Sequence, residues 1–147
     1  MKLTRASSYA VHAITFMAAQ KHDHPVASHH IAEARDIPER FLLKVLKPLV
    51  SARVLHSIKG PNGGYRLARS PADITMLEIV EAVEQAKIEG TAPEPITDPK
   101  MIKEDYPNYK PENSRPLYEK LESLCKQTAD LVRKQLEKVR ISELLKK

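Results

Sequence analysis

The stretch HSIKGPNGGYRLARSP, residues 56–71, decides how the rest of the chain is read. A Pro and an Asn precede two adjacent Gly residues, and Lys59, Arg66, Arg69 and a protonatable His56 surround them. Three readings compete: a loop cradling a mononucleotide phosphate, an ordinary hairpin turn, or a hairpin built to touch a polyanion. The first fails on pattern, because the stretch lacks the P-loop spacing and runs into a strand rather than a helix N-terminus. Val54, Leu55 and Ile58 before the turn are β-prone, and Tyr65 and Leu67 alternate after it. GPNGG supplies residues that tolerate positive φ. The stretch therefore reads as strand, turn, strand.

Upstream of the hairpin the periodicity is helical. Ala6, Tyr9, Ala10, Ala13, Ile14, Met17 and Ala18 form one buried stripe over residues 5–20, with Thr4 as cap. KHDHP interrupts it, and Ser28 is the expected N-cap of a short helix, HHIAEARD. A further helix begins near Pro38, a good first-turn residue. Phe41, Leu42, Val45, Leu46, Leu49 and Val50 make its apolar face, while Arg40, Lys44 and Lys47 share another. Pro48 removes a backbone bond at a cost of about 3 kcal/mol, so a bend near Lys44–Lys47 and a last turn to about Ala52 are expected.

Downstream, Thr75 and Glu78 have capping-box spacing before MLEIVEAVEQA, with Ile74, Leu77, Val80 and Val83 toward the core. From about 88 to 116 the texture changes: six of the eleven Pro fall there and no periodicity survives, so a long loop or linker is expected. A long helix is expected from Ser114 to about Lys138. Leu117, Leu121, Leu124, Thr128, Leu131 and Gln135 alternate spacings of four and three, a coiled-coil-like seam that favours self-association over packing on its own domain. Ile141, Leu144 and Leu145 add an apolar cluster in the tail. No internal repeat is seen.

At 147 residues the chain suits one domain, or one domain with an appendage. The net charge of +5 conceals an asymmetry: residues 1–72 hold eleven Lys or Arg against four Asp or Glu, whereas residues 73–147 hold thirteen against fifteen. That asymmetry points to a polyanion-binding first half, with a merely solvated basic surface as the alternative. No apolar run approaches 18 residues, so no membrane association is expected, and the interrupted N-terminal pattern is a helix rather than a signal peptide. The single cysteine, Cys125, cannot form an internal disulfide, and a cytoplasmic setting is the simple reading. No nucleophile–base pattern appears, which argues against an enzyme.

Helix, short helix, turn, helix and hairpin is the order of a winged helix-turn-helix, with the helix at 38–47 entering the major groove and the hairpin as the wing. Arg40 and Lys44 can reach bases or phosphates there. Bare backbone at Gly63 and Gly64 allows close approach of the wing to DNA. MKLTRASSYAVHAITFMA, IPERFLLKVLKPLVSARVLHSIKGPNGGYRLAR, ITMLEIVEAVE and VRISELLKK together resemble the Rrf-two family of bacterial transcription regulators, the family of IscR, NsrR and CymR. The resemblance implies a mainly α fold with a small β-hairpin, a winged helix-turn-helix at 1–85, a Pro-rich linker or sensor loop at 86–113, and a long dimerisation helix with its tail at 114–147. It implies a homodimeric DNA-binding regulator, a repressor, acting on a pseudo-palindromic operator of double-stranded DNA. The expected DNA-facing residues are Ser28, Pro38, Glu39, Arg40, Phe41, Lys44, Lys47, Lys59, Gly60, Pro61, Asn62, Gly63 and Gly64; the dimer seam is the set from Leu117 to Gln135 given above. Leu43 stands where some family members carry a base-contacting polar residue. Tyr65 is expected to pack beneath the wing.

Many members of that family hold an iron–sulfur cluster on three closely spaced cysteines. The 88–116 segment has none, so no cofactor and no cluster of that type are expected. Cys125 is expected to be a small buried apolar residue rather than a sensor thiol. His22, His24, His29 and His30 match no known zinc spacing and read as a solvated loop whose protonation adds attraction to DNA. Tyr106 and Tyr109 could line a pocket for an unidentified effector, although aromatic packing of the loop is preferred. The competing functional reading is a winged-helix adaptor that binds an acidic protein in place of DNA.

Overall fold

A computed structural model describes residues 1–92, 100, 102, 107, 108 and 110–146. Tyr106 and Tyr109 lie outside the described residues. The chain divides into two compact units, residues 1–87 with 134–147, and residues 88–133.

The first unit begins with α1 (Arg5–Ala18), capped by Thr4, whose hydroxyl accepts from the Ser7 N–H at 3.1 Å. The α1 stripe of Ala10, Ala13, Ile14 and Met17 is buried, as its spacing requires. α2 (Ser28–Ala34) follows. Its cap is Ala27, which has no side-chain oxygen to offer, and Ser28 is the first helical residue. The expected capping role of Ser28 is therefore corrected: its hydroxyl donates instead to the Glu39 carboxylate at 2.8 Å, reaching the next helix.

α2 ends without glycine. Asp36 takes up the left-handed conformation, with φ of 52°, and the Ile37 N–H donates back to the Ala32 carbonyl at 3.0 Å. Burying Ile37 against the core helps hold this Schellman-type turn. α3 (Glu39–Ser51) then starts directly after Pro38. It ends in the same manner, with Arg53 at φ of 58° and the Val54 N–H on the Leu49 carbonyl at 3.0 Å. Pro48 does not end α3, which continues through it to Ser51. Val45, Leu46 and Leu49 are buried on both sides of the proline, and this packing offsets the missing backbone bond.

β1 (Leu55–Ile58) and β2 (Gly64–Leu67) pair antiparallel, Leu55 opposite Leu67 and Ile58 opposite Gly64. Val26 adds one bridge to the outer side of β2 through two backbone bonds with Tyr65, at 2.8 and 2.9 Å. A 3-10 turn (Pro71–Asp73) leads to α4 (Met76–Glu84). The capping box forms as its spacing predicts: Thr75 Oγ1 accepts from the Glu78 N–H at 3.1 Å, and Glu78 accepts from the Thr75 N–H at 3.0 Å. Partial burial works to raise the Glu78 carboxyl. The bond from the Thr75 N–H, the hydrogen bond and charge of Arg69, and the Thr75 hydroxyl together outweigh it and hold the group below its ordinary value.

α5 (Pro111–Lys138) begins three residues earlier than the sequence predicts. In the second unit Gly90 lies against this helix so closely that a Cβ there would sit 1.9 Å from the Cys125 carbonyl oxygen. Cys125 is half-buried rather than buried. α6 (Ile141–Leu144) closes the first unit. The Ile141 N–H donates to the Ile74 carbonyl at 3.0 Å, and the Met76 N–H to the Val139 carbonyl at 2.9 Å. Ile141 has no exposed surface and completes a core built from α1, α2, α3, the start of β1 and Ile79 of α4.

Candidate nucleic-acid interface

Two surfaces of the first unit carry the predicted residues. On a 3.6-residue helix, Leu43, Lys47, Arg40, Lys44 and Phe41 follow one another round the arc of α3 opposite its buried face, and all five are exposed. Pro38 and Glu39 are exposed at its start. The reason is local: Leu42, Val45, Leu46 and Leu49 take the apolar face into the core, so the residues between them must point outward. Phe41, expected on the apolar face, is instead 54% exposed, with Lys44 Nζ 5.8 Å from its ring centroid. Ser28 is half-buried, with its hydroxyl on the Glu39 carboxylate at 2.8 Å.

The hairpin makes the second surface. Lys59, Gly60, Pro61 and Asn62 are exposed at its tip. Gly60, with φ of 110° and no atom within 4 Å of where a Cβ would stand, is the glycine that serves an open turn. Gly63 and Gly64 serve the hairpin itself. A Cβ on Gly63 would meet the Ile58 carbonyl oxygen at 2.2 Å, and one on Gly64 the Val26 carbonyl oxygen at 2.4 Å. Their bareness lets backbone pack on backbone within the protein.

Strand alternation places His56 opposite Arg66 on the face turned away from Leu55 and Leu67, and both are exposed. Local pattern alone leaves the role of Arg66 open; the pairing register is the signal that places it. Arg69 is engaged elsewhere, bonded to the Glu78 carboxylate at 2.8 Å and to the Asp73 carbonyl at 3.0 Å. Tyr65 is half-buried against the core, as expected beneath a wing. A groove of about 460 Å³ beside the hairpin is lined by His22, His24, His56, Tyr65, Arg66 and Arg69, among others. His22 and His24 have ring centroids 5.2 Å apart, and His29 and His30 sit on α2 with centroids 4.8 Å apart.

On α5 the six seam residues Leu117, Leu121, Leu124, Thr128, Leu131 and Gln135 lie along one helix, and Leu117, Leu121, Leu124 and Leu131 are exposed in the single chain. Among the described residues no helix is long and apolar enough to cross a membrane.

A family model described as "Rrf2: Iron-dependent Transcriptional regulator" matches residues 3–147. The HTH-type transcriptional regulator IscR of Aliivibrio salmonicida is 34% identical over 86 residues, which is 58% of this chain and 51% of that protein. Protein aau3 of Rhizobium meliloti is 35% identical over 86 residues, 58% of this chain and 55% of that protein. The aligned part thus spans about half the length of these curated relatives. CymR of B. subtilis, described as its global cysteine regulator, superposes with a TM-score of 0.68 over 99% of this chain and 96% of its own, at 21% identity. T. potens IscR gives 0.62 over 99% and 86%, at 22% identity. At these identities the structural likeness establishes the fold, a winged helix-turn-helix with a long C-terminal helix.

The residues present do not fit a thiolate-held iron cluster within one chain. Cys125 is the single cysteine, and among the described residues no three His, Cys, Asp or Glu side chains come together as metal ligands. The family is one of transcription regulators, not of enzymes. With the match extending over nearly the whole sequence, the chain belongs to the Rrf2 (Rrf-two) family of transcription regulators.

Proposed function

We propose that the chain acts in the cytoplasm as a homodimeric, sequence-specific DNA-binding transcription regulator, and that it represses. The observation that carries this reading is the pairing of two basic surfaces on one unit: the exposed arc of α3 with Arg40, Lys44 and Lys47, and the hairpin with Lys59, His56 and Arg66. α3 enters the major groove, where its first turns reach base edges, and the wing lies on the phosphate backbone. The Ser28–Glu39 bond fixes the Glu39 carboxylate at the start of α3. In this reading residues 1–85 bind DNA, 86–113 form a linker or sensor loop for an effector, and 114–147 supply the dimer contact. The exposed leucine seam of α5 supports that last role, since four large apolar side chains, Leu117, Leu121, Leu124 and Leu131, are otherwise left in water. A dimer of this kind reads an operator with half-sites about one helical turn apart.

Selection of bound duplexes from random DNA by the purified protein tests the class. A palindromic consensus is expected, with Arg40→Ala weakening its binding, and a reporter driven from it should rise when the chain is withdrawn. Recovery of no consensus, with binding to random duplex insensitive to salt, would favour the adaptor reading instead.

A further inference from the structure

The exposed arc of α3 is not simply basic. Leu43 is 42% exposed and Phe41 is 54% exposed, and they occupy the two edges of the stripe formed by Lys47, Arg40 and Lys44. Leu43 has Arg40 one turn before it and Lys47 one turn after it; Phe41 carries Lys44 across its ring. Neither large side chain is needed by the core, which is closed beneath them by Leu42, Val45, Leu46 and Leu49. Two apolar groups flanking three cations match a surface that carries apolar points within a polyanion. The major groove offers such a surface at one place only, the C5-methyl group of thymine. An uncharged apolar partner would leave the three cations desolvated and unpaired.

Resting on the DNA-binding reading above, we infer that Leu43 and Phe41 read thymine methyl groups, so that this chain recognises part of its operator by apolar contact rather than by a hydrogen bond at that turn of the helix. Arg40 and Lys44 then supply the polar contacts between two methyl-reading edges. Leu43 has no hydrogen-bonding group, so discrimination at its position depends on the presence of a methyl group on the groove wall.

The test uses the full chain and the duplex it selects. Each thymine in a half-site is replaced in turn, and symmetrically, by deoxyuridine, which keeps every hydrogen-bonding group and removes only the methyl. Binding is measured for the wild type, Leu43→Ala and Phe41→Ala. Burial of one methyl-sized group is worth about 0.8 kcal/mol, so the wild type should lose about fourfold in affinity per contacted methyl. Leu43→Ala should abolish the loss at one thymine position and Phe41→Ala at another, with the remaining positions unchanged. Both side chains are exposed, so the variants keep the wild-type melting temperature. The inference is overturned if every deoxyuridine exchange is neutral, if the losses persist undiminished in both variants, or if the selected half-sites contain no thymine. In each of those cases Arg40→Ala still weakens binding and the DNA-binding reading stands. Should the wild type select and bind no duplex at all, both fall together.

Discussion

Replacement of Lys59 by Ala is the most discriminating perturbation of the proposed interface. Lys59 opens the turn between β1 and β2, is exposed, and has no ion pair among the described residues. Its charge is therefore available to a phosphate. Each phosphate neutralised contributes about 0.9 to the slope of log affinity against log salt concentration, so the loss of two Lys59 side chains from the proposed dimer should flatten that slope by about 1.8. Between roughly 50 and 200 mM salt, the wild type's advantage over the variant should shrink by about 12-fold. Fluorescence anisotropy of a labelled operator duplex at several salt concentrations reads both slopes directly. Thermal unfolding serves as the control, because an exposed substitution outside the core is worth no more than about 0.5 kcal/mol. Parallel lines displaced by a constant factor would refute the reasoning, since they would mean that Lys59 acts on something other than a phosphate. Coincident lines would refute it as well, by removing the wing tip from the interface.

Three other outcomes are expected. Ile141→Ala should destabilise the first unit by about 2–5 kcal/mol in urea unfolding, because it empties a fully buried site to which the surrounding helices are already packed; a loss below about 1 kcal/mol would mean that the tail only decorates the core. Glu78→Gln should narrow the stability advantage of the wild type as the solution is acidified. The Glu78 carboxyl is lowered in the folded chain, so its contribution is complete above the unfolded carboxylate pKa of about 4.3 and is lost as pH falls through the folded value. Urea midpoints for both proteins from pH 7 downward check this, and a gap that stays constant to acid would contradict it. Leu124→Glu, at a seam position 58% exposed in the single chain, should sediment as a monomer, whereas the wild type is expected to sediment as the proposed dimer at the same concentration. An unchanged dimer would place the interface off this seam.

Much of the fold is legible in local patterns, because the interactions that set it are local. Thr4 capping α1 and the Thr75–Glu78 box capping α4 involve residues three apart, and a spacing is all that they require. The α3 arc follows from helical periodicity in the same way. Local pattern misleads where a distant residue decides the outcome. Ser28 looks like a cap and is recruited by Glu39, eleven residues on. Asp36 and Arg53 turn the chain at positions where glycine is the usual signal, held there by the burial of Ile37 and Val54. For Gly63 and Gly64 the local pattern does not reveal that a Cβ on either would strike the carbonyl of Ile58 or Val26.

The class of element at nearly every place, the basic character of the first half and the apolar seam of the long helix are all written in the amino-acid order, since periodicity, caps and charge act over a few residues. Which cations remain available to a partner is a matter of the folded chain. Register set Arg66 beside His56 on the outer face of the wing, and the Glu78 carboxylate drew Arg69 away from it. Two arginines three residues apart were thereby given different environments, because strand pairing and an ion pair to a residue nine positions on depend on where the chain returns in space.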